Sequence, residues 1–208
     1  MILALKLVFV ALVGYLLGSA NTSIIVGRFY GVDVRKHGSG NAGMTNTLRT
    51  LGKTAAILVT IGDILKGIIS CLIGMYLVGE VPGIGYLGLM VGGITAILGH
   101  NWPVYFGFKG GKGILTTFSV ILMMNWKIGL VLFGVFLIIV AITRYVSLGS
   151  IIGAALFPVV SLIPVFNETY VFALFALILG LMAIIRHKAN IKRILEGTES
   201  KLGQKKTG

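Results

Sequence analysis

The sequence predicts an all-α integral membrane protein, a bundle of seven transmembrane helices, and three observations predict it. Apolar residues make up 56% of the chain and the mean hydropathy is +0.99, which leaves too little polar surface for a soluble fold. These residues gather into seven runs, roughly 2–28, 54–78, 84–103, 113–125, 127–143, 148–165 and 168–186, against the ~20 residues that a membrane helix needs. The basic residues are segregated as well, falling almost entirely on alternate connections between the runs. Residues 1–197 are read as a single seven-span domain, and 198–208 as a polar cytoplasmic tail expected to be disordered.

The first run stays apolar through Ile24, Ile25 and Val26 to Phe29. It is therefore read as an uncleaved span, although Lys6 and Gly18-Ser19-Ala20 imitate a secretory leader. Gly18, Ser19 and the following Asn21-Thr22-Ser23 are read as a close-packing face, with a polar contact to substrate as the alternative. Residues 35–49, RKHGSGNAGMTNTLR, then interrupt the hydrocarbon pattern. Gly38, Gly40 and Gly43 permit backbone conformations that aim successive N–H groups at one point, and Ser39, Asn41, Thr45 and Asn46 add side-chain partners. Arg35, Lys36 and Arg49 add positive charge. The stretch suits an anion, phosphate above all; taken alone it is equally a polar connection between two spans.

The second run carries Asp63 and Lys66, three apart and so on one helix face. Charges in hydrocarbon are expensive, which predicts an ion pair facing the bundle interior. Cys71 lies in the same run and, as the one cysteine, excludes an intramolecular disulfide. Residues 79–83 read as an external turn. The third run ends in GHNWPVYFGFKGGKG, residues 99–113, in which Trp102, Tyr105, Phe106 and Phe108 suit the headgroup level. Gly110, Gly111 and Gly113 with Lys109 and Lys112 open the fourth run, a second place where N–H groups and a helix dipole favour an anion. The spacing of a nucleotide-binding P-loop is absent. His100 is read as a cap of the third span, as an interfacial residue or as a functional group.

The fourth and fifth runs are separated only by Asn125 and Trp126, so five or six spans is the competing count. At Arg144-Tyr-Val-Ser147 the chain turns close to the membrane surface. Ser147 is read as a contact to a substrate oxygen or as the cap of the sixth span. Past Arg186, Ile191, Ile194 and Leu195 continue at helical spacing, predicting a short basic amphipathic helix on the membrane surface. His187 and Asn190 share a face of it, turned to an active site or to water.

Fifteen of the 18 Lys and Arg residues fall on one side: Arg28, Arg35, Lys36, Arg49, Lys53, Lys109, Lys112, Arg144, Arg186, Lys188, Lys192, Arg193, Lys201, Lys205 and Lys206. That side is expected to be cytoplasmic, which places the N-terminus outside and the C-terminus inside. The net charge of +12 sits on short connections at a membrane surface, so membrane lipids and anionic substrates, and not nucleic acid, are the expected partners.

Together, the GS pair of the first run, GVDVRKHGSGNAGMTNTLR, DILKG, GHNWPVYFGFKGGKG, RYVS and RHKANIKR give a chain that resembles the bacterial acyl-phosphate-dependent glycerol-3-phosphate acyltransferases over nearly its whole length. The resemblance implies a seven-span inner-membrane enzyme with its active site on the cytoplasmic side and no cofactor. It implies transfer of a fatty acyl group from acyl phosphate to the 1-hydroxyl of glycerol 3-phosphate, giving lysophosphatidic acid and phosphate. An enzyme that makes acyl phosphate is then an expected partner. The resemblance further implies that Ser39 and Arg49 are essential, that the glycines of 109–113 with Lys112 meet glycerol 3-phosphate, and that His187 and Asn190 complete a third motif.

Two phosphorylated substrates bring about four negative charges to the site. The six acidic residues do not cluster as a magnesium site, so no metal is expected, and preorganised donors and cations should do the stabilising. No histidine has an aspartate five residues on. Acyl phosphate is already an activated anhydride, which favours direct transfer with His187 or a substrate phosphate oxygen taking the proton. The alternatives are a transporter of a small anionic solute and a headgroup-binding protein without catalysis.

Overall fold

The computed structural model describes residues 1–166 and 168–204. Among the described residues the regular structure is helical apart from one isolated β bridge, Val81 to Gly85. The chain forms two compact units, Met1–Met124 and Asn125–Gly208.

The first unit contains α1 (Ile2–Ser19), α2 (Thr22–Phe29), α3 (Met44–Leu51), α4 (Lys53–Val78), α5 (Leu87–Asn101) and α6 (Ile114–Met124). α1 and α4 pack on α5, and α6 lies against α4 and α5. Contact between these helices is close because glycines sit where they cross. A Cβ on Gly18 would collide with the Ala96 carbonyl oxygen, one on Gly99 with that of Tyr15, and one on Gly92 with that of Ser70. Where lipid removes the hydrophobic incentive to associate, such backbone-to-backbone approach is what holds helices together. This bears out the packing reading of Gly18.

The first apolar run is not one helix. α1 stops at Ser19, and Asn21, fully buried, caps α2 by accepting from the Ile24 N–H at 3.2 Å. Past α2, Ile24, Val34 and Ala42 form a small apolar cluster with Leu51 and Phe106 against it. A second cluster joins Val26, Ala55 and Val59, with Met44 and Leu51. The polar stretch 35–49 is thus pinned at both ends by its own few apolar residues.

The second unit contains α7 (Trp126–Thr143), α8 (Val146–Ser161), α9 (Tyr170–Arg186) and α10 (Lys188–Leu195), with α8 packed on α7 and α9. Asn125 starts α7 afresh, its side chain accepting from the Lys127 and Ile128 N–H groups; the fourth and fifth runs are separate helices for that reason. Arg144 takes the left-handed conformation, φ 63°, which ends α7 and lets α8 begin after one further residue. α9 and α10 are bent by 57° about His187, so the amphipathic extension exists as expected.

Among the described residues three helical segments are long and apolar enough to cross a membrane, Ile2–Phe29, Lys53–Val78 and Trp126–Thr143, and a fourth if the bent pair α9 and α10 counts as one. α6, at 11 residues, spans only about 16 Å at ~1.5 Å per residue. Of the expected tail, Glu199 is buried and the Leu202 N–H donates to the Arg144 carbonyl at 2.7 Å. Lys205 and Lys206 lie outside the described residues.

Gly92→Val should force α5 off α4 and destabilise the protein by about 1–3 kcal/mol, read as a lower midpoint of thermal unfolding in detergent.

Candidate active site

The stretch 35–49 is built around Asn46, on the first turns of α3. Its side chain is 1% exposed; Oδ1 accepts from the Ser39 N–H at 2.8 Å, and Nδ2 donates to the carbonyls of Val34 at 2.8 Å and His37 at 3.0 Å. Asn46 is expected among the phosphate contacts, and in the structure its side chain is the internal scaffold of the loop. Gly38 and Gly40 have positive φ, 61° and 72°, and a Cβ on Gly38 would strike the Asn46 Oδ1. Glycine is required there on both counts. Gly43, at φ −159°, is extended backbone, and a Cβ there would press on the Asn41 amide nitrogen.

The expectation that the loop's N–H groups converge on an anion is narrowed. Those of Ser39, Gly40 and Gly43 are bonded to Asn46, His37 and Asn41 within the loop. Ser39 and Arg49 have exposed side chains, while Asn41 and Thr45 are half-buried. Arg35 is engaged within the protein. It grips Asp33 through two nitrogens, at 2.9 and 3.0 Å, and donates to the carbonyls of Phe106 at 3.0 Å and Lys109 at 3.3 Å. The side-chain bond from Arg35 holds the Asp33 carboxyl at about 2, against its partial desolvation. One arginine therefore fastens the first polar stretch to the second, and Arg28 adds a cation–π contact 4.9 Å over the Phe106 ring. Phe106 faces this cluster and not the headgroups, unlike the exposed Trp102, Tyr105 and Phe108.

The second stretch folds back on the end of α5. The Gly111 N–H donates to the His100 carbonyl at 3.2 Å. A Cβ on Gly110 would strike that same oxygen, and one on Gly111 would strike both the Ala42 carbonyl and His100 Nε2. The glycines at 110 and 111 are there for close approach. Asn21 Nδ2 lies 3.4 Å from the Ala42 carbonyl and 3.5 Å from that of His100, a second tie between the two stretches. Lys112 is half-buried on this turn, just ahead of α6.

Beneath the turn is a cluster of charged groups that the sequence only half disclosed. The expected pair is present, Lys66 Nζ to Asp63 Oδ1 at 2.8 Å. His100 joins it, Nδ1 lying 2.8 Å from Lys66 Nζ and 3.5 Å from Asp63 Oδ1. All three are at most 6% exposed. Far from capping α5 or sitting at the interface, His100 is part of the core, where its partners lie on another helix. Removing one partner of a buried pair costs about 3–5 kcal/mol.

In the second unit His187, Asn190 and Ser147 are all buried. His187 Nδ1 is 2.7 Å from the Ala183 carbonyl, so Nδ1 carries a proton and, in the neutral ring, Nε2 is the basic nitrogen. Glu199 organises the rest, a residue overlooked because it falls in the expected tail. Its Oε1 accepts from Ser147 Oγ at 2.7 Å and from Asn190 Nδ2 at 2.7 Å, and its Oε2 from Arg193 Nε at 2.7 Å. Burial opposes the Glu199 charge, but these three bonds outweigh it and hold the carboxyl below its ordinary range. Ser147 is not the cap of α8, a position taken by Tyr145.

These features define a helical integral membrane protein whose polar chemistry lies on glycine- and lysine-bearing loops, suited to phosphorylated molecules. A family model described as glycerol-3-phosphate acyltransferase matches residues 8–197. The chain belongs to that family of acyltransferases. It is 45% identical over 199 residues to the glycerol-3-phosphate acyltransferase of Thermoanaerobacter sp. (strain X514), covering 95% of this chain and 96% of the relative. It is 47% identical over 205 residues to that of Clostridioides difficile (strain 630), covering 96% and 97%. The fold matches the crystal structure of PlsY (YgiH), an integral membrane glycerol 3-phosphate acyltransferase, in its glycerol 3-phosphate form. That match has TM-score 0.86 and 37% identity, over 95% of this chain and 96% of that one. The lysophosphatidic acid form gives 0.84 and 36%, over 95% of each. The transport reading has no support in these relatives.

Asn46→Ala should remove three hydrogen bonds that order the loop, to the Ser39 N–H and to the Val34 and His37 carbonyls, at about 0.5–1.5 kcal/mol each, lowering activity together with the thermal midpoint. Because the Glu199 carboxyl is depressed in the folded protein, its contribution to stability is present above the ordinary glutamate value of about 4.3 and is lost as pH falls below it. Glu199→Gln should therefore flatten the acid side of a plot of thermal midpoint against pH.

Proposed function

We propose that this protein transfers a fatty acyl group from acyl phosphate to the 1-hydroxyl of sn-glycerol 3-phosphate, giving 1-acyl-glycerol 3-phosphate and inorganic phosphate, the first acylation of phospholipid synthesis. The observation that carries the proposal is the fastening of the two glycine-rich basic stretches to each other through Arg35 and Asn21. In support, the relatives of known structure were crystallised in glycerol 3-phosphate and lysophosphatidic acid forms. Acyl phosphate as donor, and an enzyme that supplies it, belong to the proposal.

Gly110, Gly111, Lys112 and Gly113 are assigned to glycerol 3-phosphate. Gly38, Ser39, Gly40, Asn41, Gly43, Thr45, Asn46 and Arg49 are assigned to the phosphorylated substrates. Ser147 and Asn190, both bonded to Glu199, and His187 complete the assignment. The hydroxyl attacks the acyl carbonyl of the mixed anhydride, the carbon–oxygen bond to phosphate breaks, and phosphate leaves with the electron pair. The hydroxyl proton passes to His187 Nε2 or to a substrate phosphate oxygen. Cations and N–H donors placed in advance stabilise the charge that builds on the carbonyl oxygen. The topology belonging to this reading is seven spans in the bacterial inner membrane, N-terminus outside, with the reaction at the cytoplasmic face; the segregation of the basic residues supports it.

Detergent-purified protein given acyl phosphate and glycerol 3-phosphate should release phosphate and form lysophosphatidic acid; a transporter or headgroup-binding protein releases none. His187→Ala should lower kcat about 100-fold. Near-normal turnover in that variant assigns the proton to substrate phosphate, and a trapped acyl group on Ser39 would end direct transfer.

A further inference from the structure

The reaction as proposed makes no use of Asp63, Lys66 or His100, although these are buried charged and titratable groups, and buried charge is kept only at a cost. We infer that the three form a positioning triad that sets the conformation of the Lys109–Gly113 turn, and with it the placement of Lys112 for the acceptor's phosphate. The inference rests on the reading of that turn as the glycerol 3-phosphate site.

The geometry gives His100 two faces. Nδ1 meets Lys66 Nζ at 2.8 Å, with Asp63 Oδ1 at 3.5 Å. An ammonium donates and cannot accept, so Nδ1 is the acceptor and the ring proton is on Nε2. A second cation on the imidazole would set two positive charges against one carboxylate, so the ion pair selects the neutral ring in this tautomer. The Nε2 edge abuts the main chain of Gly111, whose added Cβ would strike it. The carbonyl of the same residue accepts from the Gly111 N–H at 3.2 Å, so His100 holds the turn by side chain and backbone together. From the other side, Thr116 Oγ1, in the first turn of α6, donates to the Asp63 carbonyl at 3.1 Å. The turn is thereby bracketed, His100 ahead of it and Thr116 behind, and both anchors lead back to one turn of α4.

These residues touch no reacting atom on this account, so their effect should appear as a selective loss of acceptor affinity. Kinetics are measured on detergent-purified His100→Asn, which keeps an oxygen near the Nδ1 position for Lys66 but falls short of the turn. His100→Gln reaches the turn but loses the Nδ1 acceptor. Asp63→Asn/Lys66→Gln removes both charges as a pair, so that neither is left buried alone. Lys112→Ala is measured alongside. The expected result is a KM for glycerol 3-phosphate raised about tenfold in His100→Asn and in the double variant, with the KM for acyl phosphate within about twofold, and partial recovery in His100→Gln. The double variant should keep a near-normal thermal midpoint. Normal acceptor KM in the His100 and double variants, beside a raised value in Lys112→Ala, overturns the triad alone. A parallel rise for both substrates that tracks a fallen thermal midpoint also overturns it, reducing the three to a stability element. Normal acceptor KM in Lys112→Ala removes the reading of the turn, and the inference with it.

Discussion

The first unit depends on one constraint: a polar group taken out of water and away from headgroups must find a partner within the protein. Asp63 and Lys66 answer it by pairing at 2.8 Å within α4, and His100 extends the pair to α5. Two helices that otherwise meet through glycine and alkyl surface are thus also fixed in rotation, because an imidazole must meet an ammonium at one angle. The same constraint explains Asn21. A break in an apolar helix exposes backbone groups, and an asparagine there can cap the next helix while reaching carbonyls of two distant segments.

Order in the two polar stretches comes from side chains that never need to meet a substrate. Asn46 ties the first stretch to itself, Arg35 ties it to the second, and the carbonyl of His100 anchors the second to α5. Such support matters for catalysis by preorganised donors, since a donor that must be ordered during the reaction gives back part of its stabilisation. Glu199 plays the corresponding part in the second unit, where a single carboxylate orders Ser147, Asn190 and Arg193.

Much of the site was legible in sequence, and what was missed has a common cause. The basic glycine-rich stretches stood out because almost nothing else in the chain is polar, and Asp63 with Lys66 could be paired because both lie on one helix at a known spacing. The partners of Arg35, Asn46, Ser147 and Glu199 were hidden for the opposite reason. They are set by chain reversals or by residues 52 to 74 positions away, and spacing carries no information about such contacts. His100 is the plainest case: no aspartate follows it at a motif distance, yet Asp63 stands beside it in space.

By itself the sequence determined that the chain is helical and lives in a membrane, where the helices of its later apolar runs begin and end to within a few residues, and which stretches carry charge. These follow from local composition, because an apolar run long enough to cross lipid must satisfy its own backbone and can do so only as a helix. Which polar groups brace the loops, and through which partners, was decided by tertiary structure. That depends on who neighbours whom once the helices pack, and in this protein glycines at the crossings set the packing.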